Sequence, residues 1–394
     1  EMAPRDPILG LNEQFAADAN PNKVNLGVGV YFDENGKLPL LQCVQRAERA
    51  LVEKNAPRGY LPIDGIAAYD AGVKALVFGA ESDAVKAGRI ATVQTLGGTG
   101  GLKIGADFLK KVLSGTARVL ISDPSWENHR ALFTRAGYEV GAYRYYCAAS
   151  RGIHLEGMLE DLQAAAAGTV VVLHACCHNP TGYDLTPQQW DRVIAVIKAR
   201  DLVPFLDMAY QGFGQGIAED GAVIAKFVAA QLNFFVATSF SKSFSLYGER
   251  VGALSVVCND KEEAQRVLSQ LKITIRTNYS NPPTHGAAIV AEVLNTPALR
   301  TLWEEELAGM RQRIKHMRQA LVDGLKAAGI QTDMTFILRQ VGMFSYSGLS
   351  KEQMGRLRSE FGVYGTDTGR ICVAALNEKN VTYVCQSMAK VLAG

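Results

Sequence analysis

Residues 169–207 read TVVVLHACCHNPTGYDLTPQQWDRVIAVIKARDLVPFLD, and their pattern decides the fold. An apolar run at 169–174 leads into an amphipathic segment at 187–199, which is followed by a second apolar run at 202–207. Short β-rich runs that alternate with segments of helix length indicate βαβ units and a mostly parallel sheet. This stretch therefore predicts the α/β class.

The same alternation continues on both sides of that stretch. Further strands are predicted at 118–122, 234–238 and 253–257. Further helices are predicted at 102–113, 261–275 and 297–328. Because the last of these helices is longer than a typical globular helix, we place a domain boundary within it, near residue 310.

Two domains are expected from this boundary, since 394 residues exceed one ordinary small domain. The large domain is expected to span residues 39–309. The smaller domain, of the α+β class, is expected to combine residues 1–38 with residues 310–394. Short strands of the smaller domain are predicted at 336–338, 343–347 and 371–374.

Composition argues against several classes of partner. The chain has 41 Lys and Arg residues against 39 Asp and Glu residues, a formal net charge of +2. This balance gives no basic surface for nucleic acid or for an anionic membrane, so neither partner is expected. The seven cysteines lack the dense spacing of a secreted disulfide framework, and no apolar run is long enough to cross a membrane. We expect a cytoplasmic protein.

A lysine stands in a hydroxyl-rich segment, residues 238–250, which reads TSFSKSFSLYGER after an apolar strand. Lys242 at a strand exit can bind an aldehyde cofactor covalently, and Ser239 and Arg250 can bind a phosphate dianion. The competing interpretation is a solvated loop lysine, which is the commoner case for any single lysine.

A carboxylate ends the strand at 202–207, and Tyr210 follows it closely. Ligands of open α/β sheets gather at such strand ends. Asp207 can pair there with a protonated pyridine nitrogen, and Tyr210 can donate to a phenolate oxygen of the same ring. Alternatively, Asp207 only caps the next turn.

A glycine-rich segment, residues 96–103, reads LGGTGGLK and opens a predicted helix. Free backbone N–H groups in this segment, together with the helix dipole, suit a phosphate. The segment matches neither the Walker pattern nor the dinucleotide fingerprint. Glycine-rich turns without a ligand are at least as common, so this segment alone is weak evidence.

Residues 174–182, HACCHNPTG, offer two histidines and two cysteines, a set that invites a zinc interpretation. Structural zinc sites use spaced ligand pairs, whereas Cys176 and Cys177 on an extended segment would point to opposite sides. We therefore predict no metal. Asn179 precedes Pro180 and is expected to be extended, with its amide aimed at a ring oxygen in the cleft.

Two arginines, Arg276 and Arg370, can each grip a carboxylate through two parallel hydrogen bonds. For either arginine taken singly, an exposed surface position is the commoner case.

In the same order and over essentially the whole chain, these segments resemble the aspartate/aromatic branch of the class I pyridoxal-phosphate-dependent aminotransferases. Further matching stretches are DPILGL at 6–11, NLGVGVY at 25–31, YLPIDG at 60–65, SWENH at 125–129 and GMFS at 342–345. The resemblance implies a large domain with a mostly parallel seven-stranded sheet and a smaller α+β domain. It also implies a homodimer with shared active sites that converts amino acids and 2-oxo acids.

The resemblance also implies roles for individual residues. Lys242 would hold pyridoxal 5'-phosphate and move the substrate's α-proton, while Asp207, supported by His129 and His174, would pair with the pyridine nitrogen. The other implied cofactor contacts are Tyr210, Asn179, Trp126, Gly98, Thr99, Ser239, Arg250 and, from the neighbouring subunit, Tyr60. The implied substrate contacts are Gly29, Trp126, Asn179, Phe344, Arg370 and, with Ser280 from the neighbouring subunit, Arg276.

Substrate preference is expected to follow the rim of the pocket. Phe32, Leu38 and Gly59 stand where aspartate-preferring relatives carry polar residues, and an apolar rim favours an aromatic side chain through buried area. Asn281 instead matches the aspartate-type pattern. We predict an aromatic-amino-acid aminotransferase that also accepts aspartate and uses 2-oxoglutarate; the alternative is an aspartate aminotransferase with a dicarboxylate preference.

Three rival functions are weaker. Decarboxylation or β-elimination on the same cofactor is disfavoured by the paired carboxylate clamps. A regulatory module without activity is disfavoured because the expected catalytic residues are present. A nicotinamide dehydrogenase is disfavoured because no early strand leads into the required glycine fingerprint.

Overall fold

The structure, a computed structural model, describes residues 1–113 and 118–394. The helices are α1 Leu9–Ala17, α2 Gln42–Glu53, α3 Ala67–Phe78, α4 Asp83–Lys86, α5 Gly97–Val112, α6 Glu127–Arg135, α7 Leu155–Gln163, α8 Pro187–Ala199, α9 Ile217–Ala229, α10 Lys261–Arg276, α11 His285–Asn295, α12 Pro297–Ala327, α13 Lys351–Phe361 and α14 Val381–Ala393. The strands are β1 Val24–Asn25, β2 Ile90–Leu96, β3 Arg118–Asp123, β4 Glu139–Arg144, β5 Tyr146–Cys147, β6 Gly152–Ile153, β7 Val170–His174, β8 Val203–Met208, β9 Phe235–Ser239, β10 Val251–Val257, β11 Phe344–Tyr346, β12 Val363–Tyr364 and β13 Arg370–Cys372. Short 3₁₀-helices are found at Tyr247–Glu249, Thr335–Arg339 and Val373–Ala375.

Within the described residues, seven strands form the central sheet in the order β2-β10-β9-β8-β7-β3-β4. Strand β10 runs antiparallel to both of its neighbours, β2 and β9, and the other pairs are parallel. The predicted α/β class and the mostly parallel seven-stranded sheet are therefore confirmed.

The core lies on both faces of this sheet. In β7, Val170 and Val172 belong to one apolar cluster, whereas Val171 and Leu173 belong to the other. Successive side chains of a strand point to opposite faces, so a strand covered on both sides is apolar throughout. This explains the unbroken run of apolar residues in the sequence.

Helix α8 returns the chain from β7 to β8 and begins at a well-defined cap. The Thr186 side chain accepts the N–H of Gln189 at 3.2 Å, and the Gln189 side chain accepts the N–H of Thr186 at 2.9 Å. Pro187 occupies the first helical turn, where its missing N–H costs nothing. The observed bounds equal the predicted ones because these signals are local.

The carboxyl ends of the parallel strands meet at one edge of the sheet. In register, Asp207 of β8 lies beside His174 of β7 and beside Ala237 of β9. Strand β2 runs into α5, so the glycine-rich segment belongs to the first turn of that helix. This edge places the chemically active segments next to one another.

Two local predictions need comment. Residues 336–338 belong to a 3₁₀-helix, so the strand predicted there was wrong. The Asp333 carboxylate accepts the N–H of Thr335 at 2.9 Å and starts the turn, and a three-residue apolar run fits one helical turn as well as a strand. The predicted long helix is confirmed as α12, whereas the domain division near residue 310 stays a prediction.

No helix in the described part of the chain is both long and apolar enough to cross a membrane.

Candidate active site

A cavity of about 650 Å³ opens at the carboxyl edge of the sheet. The residues of the sequence prediction that line it are Gly29, Gly98, Thr99, Trp126, Asn179, Asp207, Tyr210, Ser239, Lys242, Arg250, Phe344 and Arg370. They come from segments that are far apart in the chain. The structure therefore brings together most of the site residues that the sequence proposed.

Lys242 follows strand β9 and projects its amine into the cavity. Its Nζ atom lies 4.9 Å from the centre of the Tyr210 ring. Burial lowers the pKa of Lys242 to about 8, and the positive charges of Arg250 and Arg370 add to the lowering while the Asp207 carboxylate opposes it. A substantial fraction of the amine is therefore neutral, and hence nucleophilic and basic, near neutral pH.

Asp207 is held ionised at the end of β8. His129 Nε2 lies 2.7 Å from Asp207 Oδ2, and the two side chains form a buried pair. Burial by itself would raise the pKa of Asp207, but this hydrogen bond and the charges of His129 and Lys242 hold the pKa below its ordinary value. The carboxylate can therefore accept a hydrogen bond from a protonated ring nitrogen.

A hydrogen-bonded chain continues behind Asp207. Ser125 Oγ lies 2.8 Å from His129 Nδ1 and 3.1 Å from His174 Nε2. Burial lowers the pKa of His174 well below its ordinary value, so this ring is neutral. Trp126 contacts His129 edge to face, with ring centroids 5.3 Å apart. These contacts fix the orientation of the Asp207 carboxylate and of the Trp126 indole.

Another set of residues that line the cavity suits an anion. Gly98 and Thr99 lie in the first turn of α5, where backbone N–H groups have no partner within the helix. Gly97 has φ +68°, and a Cβ there would lie 2.5 Å from Nη2 of Arg250, so only glycine permits this approach. Ser239 lines the cavity beside these groups. Such a set of donors is typical of a phosphate site.

Arg370 is a buried guanidinium whose hydrogen-bond partners are neutral. Its Nη1 donates to Asn179 Oδ1 and its Nη2 to the Gly27 carbonyl, each at 3.0 Å, and its Nε has no hydrogen-bond partner among the residues that the structure describes. The guanidinium carbon lies 4.1 Å from the centre of the Phe344 ring, and Phe344 contacts Tyr210 edge to face. A carboxylate in the cavity would complete the hydrogen bonding of Arg370.

Tyr60 and Arg276 do not line this cavity. Tyr60 is 97% exposed, and exposed Arg276 donates to Ser280 Oγ at 2.8 Å. Asn281 Nδ2 donates to the Leu61 carbonyl at 3.1 Å, so the two segments form one surface region. The roles predicted for these residues in a neighbouring subunit stay predictions.

The apolar rim predicted at Phe32, Leu38 and Gly59 also does not line the cavity of this chain. Phe32 packs against the core, and Leu38 is 53% exposed. Apolar side chains instead reach the cavity from the N-terminal region, where Ile8 and Leu9 contribute to its wall. The rim predicted at Phe32 and Leu38 stays a prediction.

Some residues of the site were missed by the sequence argument as individual contributors. Ser125 joins two histidines, and Ser241 accepts from Arg250 Nη1 at 3.4 Å. Tyr247 lines the cavity, and its hydroxyl accepts the N–H of Tyr31 at 2.9 Å. All three belong to segments that the sequence analysis quoted. Their short distance in sequence from Lys242 or His129 was the signal that could have identified them.

The geometry assumed for the adjacent cysteines was wrong. Cys177 adopts a left-handed φ of +51°, so the segment is not extended there. The ligand atoms of Cys176, Cys177 and Asp220 all lie within 4.8 Å of one another.

Comparisons with known proteins agree with one another. The family described as "Aminotransferase class I and II" matches residues 21–388. An aspartate aminotransferase of Pseudomonas aeruginosa is 62% identical over 392 residues, which are 100% of this chain and 98% of the relative. An aromatic-amino-acid aminotransferase of Escherichia coli is 50% identical over 388 residues, 98% of each chain. The crystal structure of an aromatic-amino-acid aminotransferase from Burkholderia pseudomallei, covalently bound to pyridoxal phosphate, has a TM-score of 0.97 at 63% identity and covers 100% of this chain and 98% of its own.

Proposed function

The chain belongs to the class I and II aminotransferases, and from this membership we propose that it moves the amino group of an aromatic amino acid to 2-oxoglutarate, with aspartate as a further donor. The enzyme is a pyridoxal-phosphate-dependent transaminase whose substrates are amino acids and 2-oxo acids. One observation carries the proposal: the amine of Lys242, the carboxylate of Asp207 and the incompletely bonded guanidinium of Arg370 share one cavity.

The residues of the cavity fit pyridoxal phosphate. The first turn of α5 and Arg250 provide an anion site in the cavity, and the ionised Asp207 lines the same cavity. Lys242 also lines it. These are the groups that a phosphate, a protonated pyridine nitrogen and an aldehyde require.

Each group of the cofactor has a proposed holder in this chain. Lys242 would hold the aldehyde group, and Asp207 would hold the ring nitrogen. Tyr210 and Asn179 would donate to the phenolate oxygen, and Trp126 would contact the ring. Gly98, Thr99, Ser239 and Arg250 would hold the phosphate. When bound, the cofactor supplies a ring that accepts the electrons left on the substrate's α-carbon.

Lys242 is the proposed general base. Its Nζ takes the proton from the α-carbon of the amino acid and returns a proton in the second half of the reaction. The lowered pKa, near 8, leaves a substantial neutral fraction of the amine at neutral pH. The positive charge that forms on Nζ is stabilised by the Asp207 carboxylate, which raises this pKa while the other named groups lower it.

Arg370 is the proposed clamp for the α-carboxylate. Both of its hydrogen-bond partners are neutral, so a bound carboxylate would be its counter-ion. Phe344 lies under the guanidinium and restricts the plane in which it donates. A carboxylate held in this way places the α-carbon within the cavity that contains Lys242.

We propose a homodimer in which Tyr60, Arg276 and Ser280 complete the partner's site. In this chain they lie on the surface, away from the cavity. Arg276 would bind a distal carboxylate such as that of aspartate or 2-oxoglutarate. The seven free thiols of the chain support a reducing compartment, and we propose the cytoplasm.

The preference for aromatic substrates rests on the apolar part of the cavity wall. Ile8 and Leu9 provide apolar surface there, and burial of such surface against an aromatic ring contributes about 25 cal/mol per Å². Relatives named for aromatic amino acids and for aspartate both match nearly the whole chain. Acceptance of both classes is therefore part of the proposal.

The test is a single-turnover comparison of phenylalanine, tyrosine and aspartate with the purified holoenzyme. We expect both aromatic substrates to convert the cofactor at least as efficiently as aspartate. Faster conversion of aspartate would instead support an aspartate aminotransferase. Lys242→Ala should retain bound cofactor and lose turnover by at least about 100-fold, the usual contribution of a general base. Lys226→Ala, which removes only a surface ion pair with Asp191, is the control.

A further inference from the structure

Two adjacent thiols, Cys176 and Cys177, lie side by side directly after strand β7. Cys177 has a left-handed φ of +51°, and its sulfur lies within 4.8 Å of that of Cys176. Asp184 holds this turn, since its carboxylate accepts the N–H of Cys177 at 2.7 Å and that of His178 at 2.9 Å. The juxtaposition is therefore built into the backbone.

One of the two thiols is reached from the active-site cavity. Cys176 lines the cavity, and Cys177 lies behind it with its Sγ 3.8 Å from the Tyr210 carbonyl. Both side chains are at least nine-tenths buried, and neither is in a disulfide. A small molecule that enters the cavity can therefore meet this pair of thiols before any other cysteine of the chain.

The third group of the cluster, the Asp220 carboxylate, is already engaged in hydrogen bonds to the backbone. It accepts the N–H groups of Gly212, Gly214 and Gln215 at 2.8 to 2.9 Å. The accessible donors are therefore two sulfur atoms rather than a mixed set. A pair of sulfur atoms preferentially binds soft, thiophilic atoms, whereas Mg²⁺ and Ca²⁺ require oxygen ligands.

The protonation state of the two thiols further limits which reagents can react with them. The contact between the two side chains lowers the pKa of Cys176, but burial and the negative charges of nearby carboxylates together outweigh it, and the pKa rises to about 11. The same contact and burial raise the pKa of Cys177. Protonated thiols react poorly with alkylating agents, which require the thiolate. A reagent that forms bonds to two thiols through a single atom binds more tightly when the two thiols lie close together.

We propose that Cys176 and Cys177 form a binding site for monosubstituted trivalent arsenicals. Two S–H bonds break and two S–As bonds form, and the two protons leave with the oxygen of the arsenical as water. Arsenic stays trivalent, and neither sulfur is oxidised. With bonds of about 2.3 Å from sulfur to a thiophilic atom, two sulfurs on one pyramidal arsenic atom lie about 3.5 Å apart. This separation lies within the 4.8 Å bound that the structure sets on the pair.

Occupation of this site should disturb the proposed cofactor contacts. Asn179 follows the pair by two residues and is hydrogen-bonded to Arg370. The backbone carbonyl of Tyr210 contacts Cys177. An arsenic atom bridging the sulfurs therefore adds bulk where Asn179 and Tyr210 meet the cavity, and we expect it to slow transamination.

The experiment uses phenylarsine oxide on the holoenzyme, with intact-protein mass spectrometry as the primary measurement. We expect one phenylarsine per chain, bound with loss of one water. A dithiol, dimercaptopropanol, should remove it, whereas β-mercaptoethanol at the same thiol concentration should not. Loss of either sulfur, in Cys176→Ala or Cys177→Ala, should weaken binding by at least about 100-fold, because a two-point attachment becomes a single one.

Cys147→Ala is the matched control, since Cys147 is a half-buried thiol elsewhere in the chain. This variant should bind the arsenical as the wild-type protein does. Three results would overturn the proposal: no adduct on the wild-type protein, full adduct in both single variants, or ready removal by the monothiol. Reversal by dithiol against monothiol is measured on the wild-type protein, so it decides the matter even if a variant folds poorly. Because the adduct is read by mass, a failure of the proposed substrate preference leaves this test intact.

Discussion

The charge of one amine, that of Lys242, is set by groups that meet only in the folded protein. Burial lowers its pKa to about 8, Asp207 acts in the opposite direction, and Arg250 and Arg370 act with burial. Each of these contributions has a sign that electrostatics fixes: loss of a nearby positive charge makes protonation easier and raises the pKa. The balance can therefore be tested by removing one charge at a time.

We expect the cofactor-free protein to bind pyridoxal phosphate covalently at a rate that rises with pH and levels off above about 8, because only the neutral amine reacts. In Arg370→Gln the midpoint should move to higher pH. Absorbance spectroscopy across a pH series measures the binding rate, and hence the midpoint, for the wild-type protein and for the variant. Arg192→Gln, the same change at an exposed arginine that pairs with Glu156 and does not line the cavity, should leave the midpoint unmoved. An unchanged midpoint in Arg370→Gln would show that Arg370 has no influence on the amine.

For individual residues, the sequence predicts a functional role where the residue type and its neighbours in sequence already indicate the chemistry. Lys242, Asp207 and Arg370 are reactive or charged groups beside strand ends, and all three line the cavity. Ser125 and Tyr247 were missed because their roles depend on partners elsewhere in the fold. The hydroxyl of Tyr247, for example, bonds a backbone group 216 residues away, which no local pattern reveals.

Among the elements, those with local start signals were predicted best. Helix α8 has Thr186, Pro187 and Gln189 at its N-terminus, and its predicted bounds are confirmed. Strands β2 and β4 were not among the predicted strands. Strand β4 lies at the edge of the sheet and is partly exposed, so its sequence EVGAYR lacks a continuous apolar run. Burial, which depends on the whole sheet, decides such cases.

Helix α1 and the residues before it close one side of the cavity, a role that the sequence did not predict. Ile8 and Leu9 line the cavity, yet Leu9 remains 62% exposed. An exposed leucine costs free energy unless a ligand or another surface covers it. We infer that the side chain of an aromatic substrate covers part of this surface.

We expect Leu9→Asn to lower kcat/KM for phenylalanine by about 3- to 10-fold relative to aspartate, since a buried methylene group contributes roughly 0.8 kcal/mol. The ratio of the two kcat/KM values is the measurement, because a general loss of activity cancels in it. Leu338→Asn is the control: Leu338 is also partly exposed, at 42%, but does not line the cavity. A ratio equal to that of the wild type would remove α1 from the substrate site.

At the scale of the whole molecule, one chain holds the proposed site in two separate parts. The cavity contains Lys242 and Arg370, whereas Tyr60 and Arg276 lie together on the surface. In a dimer with twofold symmetry, the surface region of one chain can complete the cavity of the other, and the reverse then follows. A second chain, rather than a rearrangement within one chain, is the economical way to join them.

Mixing two inactive variants distinguishes these possibilities. A dimer of one Lys242→Ala chain and one Arg276→Ala chain has one site with both defects and one site with neither, if Arg276 acts across the interface. Random reassembly should then restore about a quarter of the wild-type activity toward aspartate, because half of the dimers are mixed and each has one intact site. Activity after joint unfolding and refolding is the measurement, and each variant refolded alone is the control. No recovery would place Arg276 and Lys242 in the site of the same chain, whereas full activity of Arg276→Ala refolded alone would place Arg276 outside the site.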